Sequence, residues 1–164
     1  MIKMLELKEC LESSGFTNVR TYIQSGNVLF SSNEIDTWGL SEKIKASVEK
    51  RFKMQIGVVV FSKMEWQTIL KNAPKDWGGD KNWKHNLLVL LKPYDMLQAT
   101  MAIGELKPGI EALATGEGVL YQSISVKMYG RTTTGKLASN PIYKKMTVRN
   151  YNTSVNLLSI FDNS

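Results

Sequence analysis

Apolar residues recur at helical spacing in residues 3–14, where Met4, Leu7, Cys10 and Leu11 fall on one side and predict an amphipathic helix. Gly15 followed by Phe16 supplies a left-handed stop and its apolar contact. The period then drops to two in VRTYIQSGNVLF, 19–30. A two-residue turn at Ser25-Gly26 sets Ile23 opposite Val28 and Thr21 opposite Phe30. That register places Val19, Thr21, Ile23, Val28 and Phe30 on a core face and Arg20, Tyr22, Gln24, Asn27 and Leu29 on the other. Helical spacing returns over 37–52 with Leu40, Ile44, Val48 and Phe52, and the unbroken apolar run at 56–61 reads as a buried strand. SKME at 62–65 is a capping box that opens a third helix, carrying Trp66, Ile69, Leu70 and Ala73 and ending before Pro74.

PKDWGGDKNW, 74–83, has the glycine, proline and charge content of a connection, and Trp77 and Trp83 are expected to pin two units together. Beyond it the pattern begins again. NLLVLL at 86–91 predicts a strand, 96–106 a helix, and GIEALATGEGVLYQ a strand, a turn at 115–118 and a second strand. A further strand is expected at 124–129, then a helix carrying Ile142, Tyr143 and Met146, and a last helix over 152–161. The two halves read as copies of one α+β unit: residues 1–73, a connection at 74–84, and residues 85–164.

Composition narrows the setting. The chain has 164 residues, enough for one domain of common size or two small units without disulfides to staple them. Cys10 is the only cysteine, and its helical spacing with Leu7 and Leu11 marks it as a buried small apolar residue. The apolar runs are too short to span a bilayer and the N-terminus lacks the regions of a signal peptide, so a cytoplasmic location is expected with no membrane partner. Charge is uneven: residues 125–164 carry six basic side chains against the single acid Asp162, so most of the net +6 sits in the C-terminal quarter. Such a bias suits a surface that meets an anion, although a solvated surface explains it as well.

One segment in that quarter invites a specific reading. GRTTTGKL, 130–137, carries Gly130, Gly135 and Lys136 at the spacing of a phosphate-binding loop, G-x-x-x-x-G-K-[ST]. The position that must hold magnesium is Leu137, however, and Pro141 interrupts the place where the following helix should run. The chain is therefore not read as a P-loop nucleotide hydrolase. His85 is the single histidine, so no histidine and cysteine cluster can hold a metal, and no catalytic triad is evident. Asp76 and Asp80 flank a Gly-Gly turn and read as loop solvation. No cofactor and no catalytic residue are assigned.

Two stretches, VRTYIQSGNVLFSS (19–32) and GKLASNPIYKKMTVRNYNTSVNLL (135–158) with the preceding SVKMYGRT, resemble the bacterial family called domain of unknown function 1697. The resemblance implies two tandem ferredoxin-like α/β sandwich units in a small bacterial protein, and it implies no reaction. Members of that family begin with a strand and a turn of the type RGINVGG ahead of the first helix, and this sequence has no such segment. The first unit is thus expected to lack its leading β-strand, with the true start upstream or the strand supplied by another chain.

Three functional readings follow. The first is a protein binding an anionic ligand, whether nucleotide, nucleic acid or phosphorylated metabolite, with Arg131, Lys136, Lys144, Lys145 and Arg149 giving charge and Asn150 and Asn152 amide hydrogen bonds. Asn150 or Asn152 serves equally well as a helix cap on this reading. The alternatives are a small enzyme acting on an anionic substrate between the units, with Tyr129 or Tyr151 as acid, and a partner-binding protein that forms homodimers through exposed strand edges. No run matches the RNA-recognition signature, so nucleic-acid binding rests on charge alone.

Overall fold

Two helices pressed on a short hairpin make the first of the two units into which the chain divides after Ser62. The computed structural model describes residues 2–23 and 26–163. α1 (Met4–Ser13) buries Leu7, Cys10 and Leu11, and α2 (Thr37–Phe52) buries Leu40, Ile44 and Val48. Phe16 and Val19 complete that cluster. α2 begins where the Asp36 carboxylate accepts the Trp38 backbone N–H at 3.1 Å, satisfying a donor that the first turn leaves orphaned.

The hairpin pairs β1 (Thr17–Tyr22) with β2 (Asn27–Ser31), but not in the expected register. Tyr22 faces Asn27 and Thr21 faces Val28, so the connection is longer than two residues. Ile23 leaves the ladder with φ 51° and is 49% exposed. The predicted turn residue Ser25, like Gln24, lies outside the described residues. Because pairing shifted by a whole pleat, the face assignment of Val19, Val28 and Phe30 survives, and all three pack on the core. Leu29, expected on the polar face, is buried instead.

The run 56–61 is the second departure in this unit. Ile56, Val58 and Val60 pack against the same core at every second position, yet among the described residues the segment joins no sheet. Its Val60 N–H donates to Ser41 Oγ at 3.2 Å rather than to a strand. Among the described residues no strand precedes α1, and β1 and β2 pair only with each other.

The second unit begins at Lys63 and contains α3 (Lys63–Lys71), β3 (Trp83–Leu90), α4 (Met96–Ile103), β4 (Glu111–Thr115), β5 (Val119–Ser125), β6 (Met146–Asn150) and α5 (Tyr151–Asp162). Its sheet runs β4-β5-β3-β6 with every neighbour antiparallel, which is the strand order of a βαββαβ ferredoxin-like unit. Where the second helix of that motif belongs, the chain makes three short 3-10 turns instead: Tyr129–Arg131, Thr134–Ser139 and Pro141–Lys145. The helix expected to carry Ile142 and Met146 is therefore a 3-10 turn leading into a strand, and the strand expected at 124–129 is only the end of β5.

Alternation across β3 fixes the two faces of this sheet. Leu88 and Leu90 pack with Leu120, Ala99, Ile103, Leu137 and Ile142 on one side. His85 and Leu87 face the other, opposite Ser123 and Tyr121 of β5. Here α3 and α5 join the sheet: the Trp66 indole N–H donates to the Ser154 carbonyl at 3.0 Å, and the Tyr121 hydroxyl donates to the Ile69 carbonyl at 2.5 Å. Thus α3, grouped by sequence with the first unit, packs on the second. Trp77 also belongs there, with its indole N–H on the Asn86 carbonyl at 3.3 Å and its ring edge-on to Tyr121 and Tyr151. Among the described residues no helix is long and apolar enough to cross a membrane.

Candidate functional site

The segment that imitates a phosphate loop proves to be built around a carboxylate. Glu111 opens β4 on the face that also carries Leu113, and it is only 5% exposed. Its Oε1 accepts the backbone N–H groups of Lys107 and Thr133, each at 2.9 Å. Its Oε2 accepts the backbone N–H and the hydroxyl of Thr134, each at 2.8 Å. Burial by itself would raise the carboxyl's pKa, but these hydrogen bonds outweigh it and hold the group below the usual glutamate value. Leu137, at the position a P-loop reserves for its magnesium ligand, is buried in the core.

Against this turn lies an open cavity of about 490 Å³. Among the described residues Lys107 and Lys136 are the charged members of its lining, Thr133, Ser139 and Asn140 add polar groups, and Ile103 and Leu137 add apolar ones. Much of the polar capacity is already used. The Thr133 hydroxyl donates to the Glu105 carbonyl at 2.8 Å, the Ser139 hydroxyl to the Lys136 carbonyl at 2.7 Å, and the Asn140 amide to the Ala102 carbonyl at 2.8 Å. What the lining leaves for an incoming anion is therefore mainly the side chains of Lys107 and Lys136.

The residues singled out by charge do not gather in one place. Lys136 lines the cavity, whereas Arg131 and Lys144 are exposed on the neighbouring 3-10 turns. Lys145 sits over the ring of Tyr94 at 4.8 Å. Arg149 pairs with Leu87 and so shares its face, opposite the one on which Leu137 packs with Leu88. It donates to Thr147 Oγ1 at 2.7 Å and to the Val148 carbonyl at 2.9 Å, and burial lowers its pKa from the ordinary arginine value. Asn150 caps α5, accepting the Thr153 N–H at 2.8 Å, and Asn152 is exposed within the first turn of the same helix. Tyr151 is packed edge-on against Trp77, and Tyr129 lies under the Lys84 ammonium at 5.3 Å.

Lys107 and Glu111 were not legible as site residues. Their partners lie in another loop and are mostly backbone amides, which carry no sequence signature. The one available signal was an acid at the start of a strand whose neighbours are apolar.

The remaining polar candidates are structural in their geometry. His85 is buried, with Nδ1 at 2.9 Å from Ser123 Oγ, its donor or acceptor role depending on the tautomer, and Nε2 without a hydrogen-bond partner among the described residues. Burial pushes its pKa down, and the carbonyl and charge of Asp80 only partly oppose this. The Asp80 carboxylate itself accepts the backbone N–H of Asn82 at 2.8 Å, a turn contact. Cys10 is buried, with its thiol pKa raised by that burial despite the opposing charge of Arg51. No group of three or more His, Cys, Asp or Glu side chains among the described residues could hold a metal ion.

These features define an α+β protein with two separate antiparallel sheets, the larger in ferredoxin-like order with a lysine-lined cavity at its 3-10 turns. The chain belongs to the DUF1697 family of proteins of unknown function, whose model matches residues 1–121. It is similar in fold to the solved structure of the conserved bacterial protein SP0830 from Streptococcus pneumoniae, with 24% identity and a TM-score of 0.87 over 99% of this chain and 90% of that one. No curated protein matches it.

Proposed function

We propose that this is a cytoplasmic protein that binds a small anionic ligand, a nucleotide or a phosphorylated metabolite, in the cavity beside the 3-10 turns. The observation that carries the reading is the lining: two lysines and no acid among the described lining residues, around a volume of about 490 Å³. That size falls within the range of small-molecule sites, roughly 300–1,000 Å³. The lysines meet the ligand as point charges, so binding weakens with salt. The excess of basic residues in 125–164 supports the same sign of partner by raising the local concentration of anions.

Thermal melts across nucleotides, sugar phosphates and short RNA test the reading. A ligand at 100 times its Kd stabilises the chain by about 2.7 kcal/mol. The double variant Lys107→Ala, Lys136→Ala should lose that gain while melting normally without ligand. A stabilisation retained in the double variant moves the site elsewhere. One that grows with RNA length points to nucleic acid.

A second reading, strand pairing with another chain, is favoured by the extended residues 56–59, which follow the alternation of Ile56 and Val58 onto the core yet pair with no strand among the described residues.

A further inference from the structure

Four donors converge on one buried carboxylate in the turn that resembles a phosphate loop. Lys107 and Thr133 give backbone N–H groups to one oxygen of Glu111, and Thr134 gives its backbone N–H and hydroxyl to the other. At 5% exposure, water has little access to compete for these donors. Glu111 is absent from the ion pairs found among the described residues, so its charge is met by amide and hydroxyl dipoles, as an anion is met in a backbone nest. The turn is also held in shape independently of the carboxylate. The Gly135 N–H donates to Thr132 Oγ1 at 3.0 Å, and the Thr132 hydroxyl donates to the Tyr129 carbonyl at 2.7 Å.

We infer that the turn at 132–135, with the Lys107 amide, is an anion receptor whose ligand is built in as the side chain of Glu111. It is distinct from the lysine cavity beside it, because its donors are backbone amides and a hydroxyl rather than ammonium groups. While Glu111 occupies the receptor, those amides cannot serve a phosphate, which explains how a sequence so close to a P-loop does other work. Removal of the side chain beyond Cβ leaves the donors facing a space of carboxylate size. The ligand class that fits is a small free carboxylate: acetate matches the atoms removed, and formate, one methyl smaller, clears the Cβ that remains.

The test uses the full chain with Glu111→Ala, melted in sodium formate and in sodium chloride of equal ionic strength. The variant should melt on the order of 5–10 °C below the parent, because buried donors lose a charged acceptor. Formate should then raise its melting temperature saturably, with no such rise in the parent. A folded variant that responds equally to formate and chloride overturns the inference. If the variant does not fold in either salt, the parent decides by NMR. The amide protons of Lys107, Thr133 and Thr134 should shift together with one midpoint below the usual glutamate value, and amides that do not share a midpoint overturn the inference.

Discussion

Two glycines of the same motif do opposite things, and single methyl groups tell them apart. A Cβ on Gly135 would stand 2.6 Å from the Tyr129 carbonyl oxygen and against Thr132 Oγ1, whereas one on Gly130 meets nothing within 4 Å. Gly135→Ala should therefore cost roughly 1–3 kcal/mol in denaturant melts, because the obstacle is backbone rather than a movable side-chain tip. Gly130→Ala should stay within about 0.5 kcal/mol of the parent. A nucleotide site would make both glycines matter to ligand and neither to folding. Titration separates two further residues. His85 has a lowered pKa, so between its folded and unfolded values the unfolded chain binds more protons, and stability falls as pH drops below the ordinary 6.5. Glu111 also has a lowered pKa, so its contribution is complete above the ordinary 4.5 and is lost as pH falls through its folded value. Stability against pH should show two separate declines on acidification. His85→Gln should flatten the upper one and Glu111→Gln the lower one, and a profile unchanged by either variant would refute the assignment.

At the scale of elements, legibility followed length and amphipathic contrast. α2, with Leu40, Ile44 and Val48 on one face, has the bounds its spacing predicts, because a long stripe of buried residues has one helical solution. The stretch with Ile142, Tyr143 and Met146, expected as a helix, departs for the converse reason: Ile142 and Met146 stand four residues apart as on a helix face, but the stretch is short and opens at Pro141, and it forms a 3-10 turn that leads into a strand. β6 is five residues long, and its alternation of Met146 and Val148 with Thr147 and Arg149 is hidden among lysines. The hairpin register was lost at a turn, where pairing is set by backbone conformation and not by hydrophobic pattern. Asn150 shows how a residue can be noticed for chemistry and serve geometry. As the N-cap of α5 it should cost about 1 kcal/mol when replaced by alanine, while Asn152→Ala in the same helix should cost almost nothing. Equal losses at the two positions in urea melts would mean that the cap is not what holds the helix start.

Across the whole molecule, the contrast between a four-stranded sheet and a two-stranded one leads to the last prediction. The second unit has four strands in ferredoxin-like order, with β3 hydrogen-bonded on both sides. Among the described residues the first has two strands and an extended segment, 56–59, that shares their core without sharing their ladder. Backbone N–H groups in 56–59 have no hydrogen-bond acceptor among the described residues, whereas those of β3 are held between β5 and β6. Hydrogen exchange should reflect this directly: amides at 56–59 should exchange orders of magnitude faster than those of Leu87 and Leu88, which open only with the unit as a whole. Extended backbone at 56–59 whose N–H groups meet no acceptor among the described residues is also a template for another strand, from a second copy or from a different chain. Raising the protein concentration should then slow exchange at 56–59 and along the hairpin together, with β3 unaffected, as light scattering reports a larger species. Protection that stays fast and independent of concentration would show that these edges do not pair between copies, and the strand-docking reading would then require a different partner. Slow exchange at the lowest concentration would mean that the segment is already paired within one chain, and the account of its open ladder would fail.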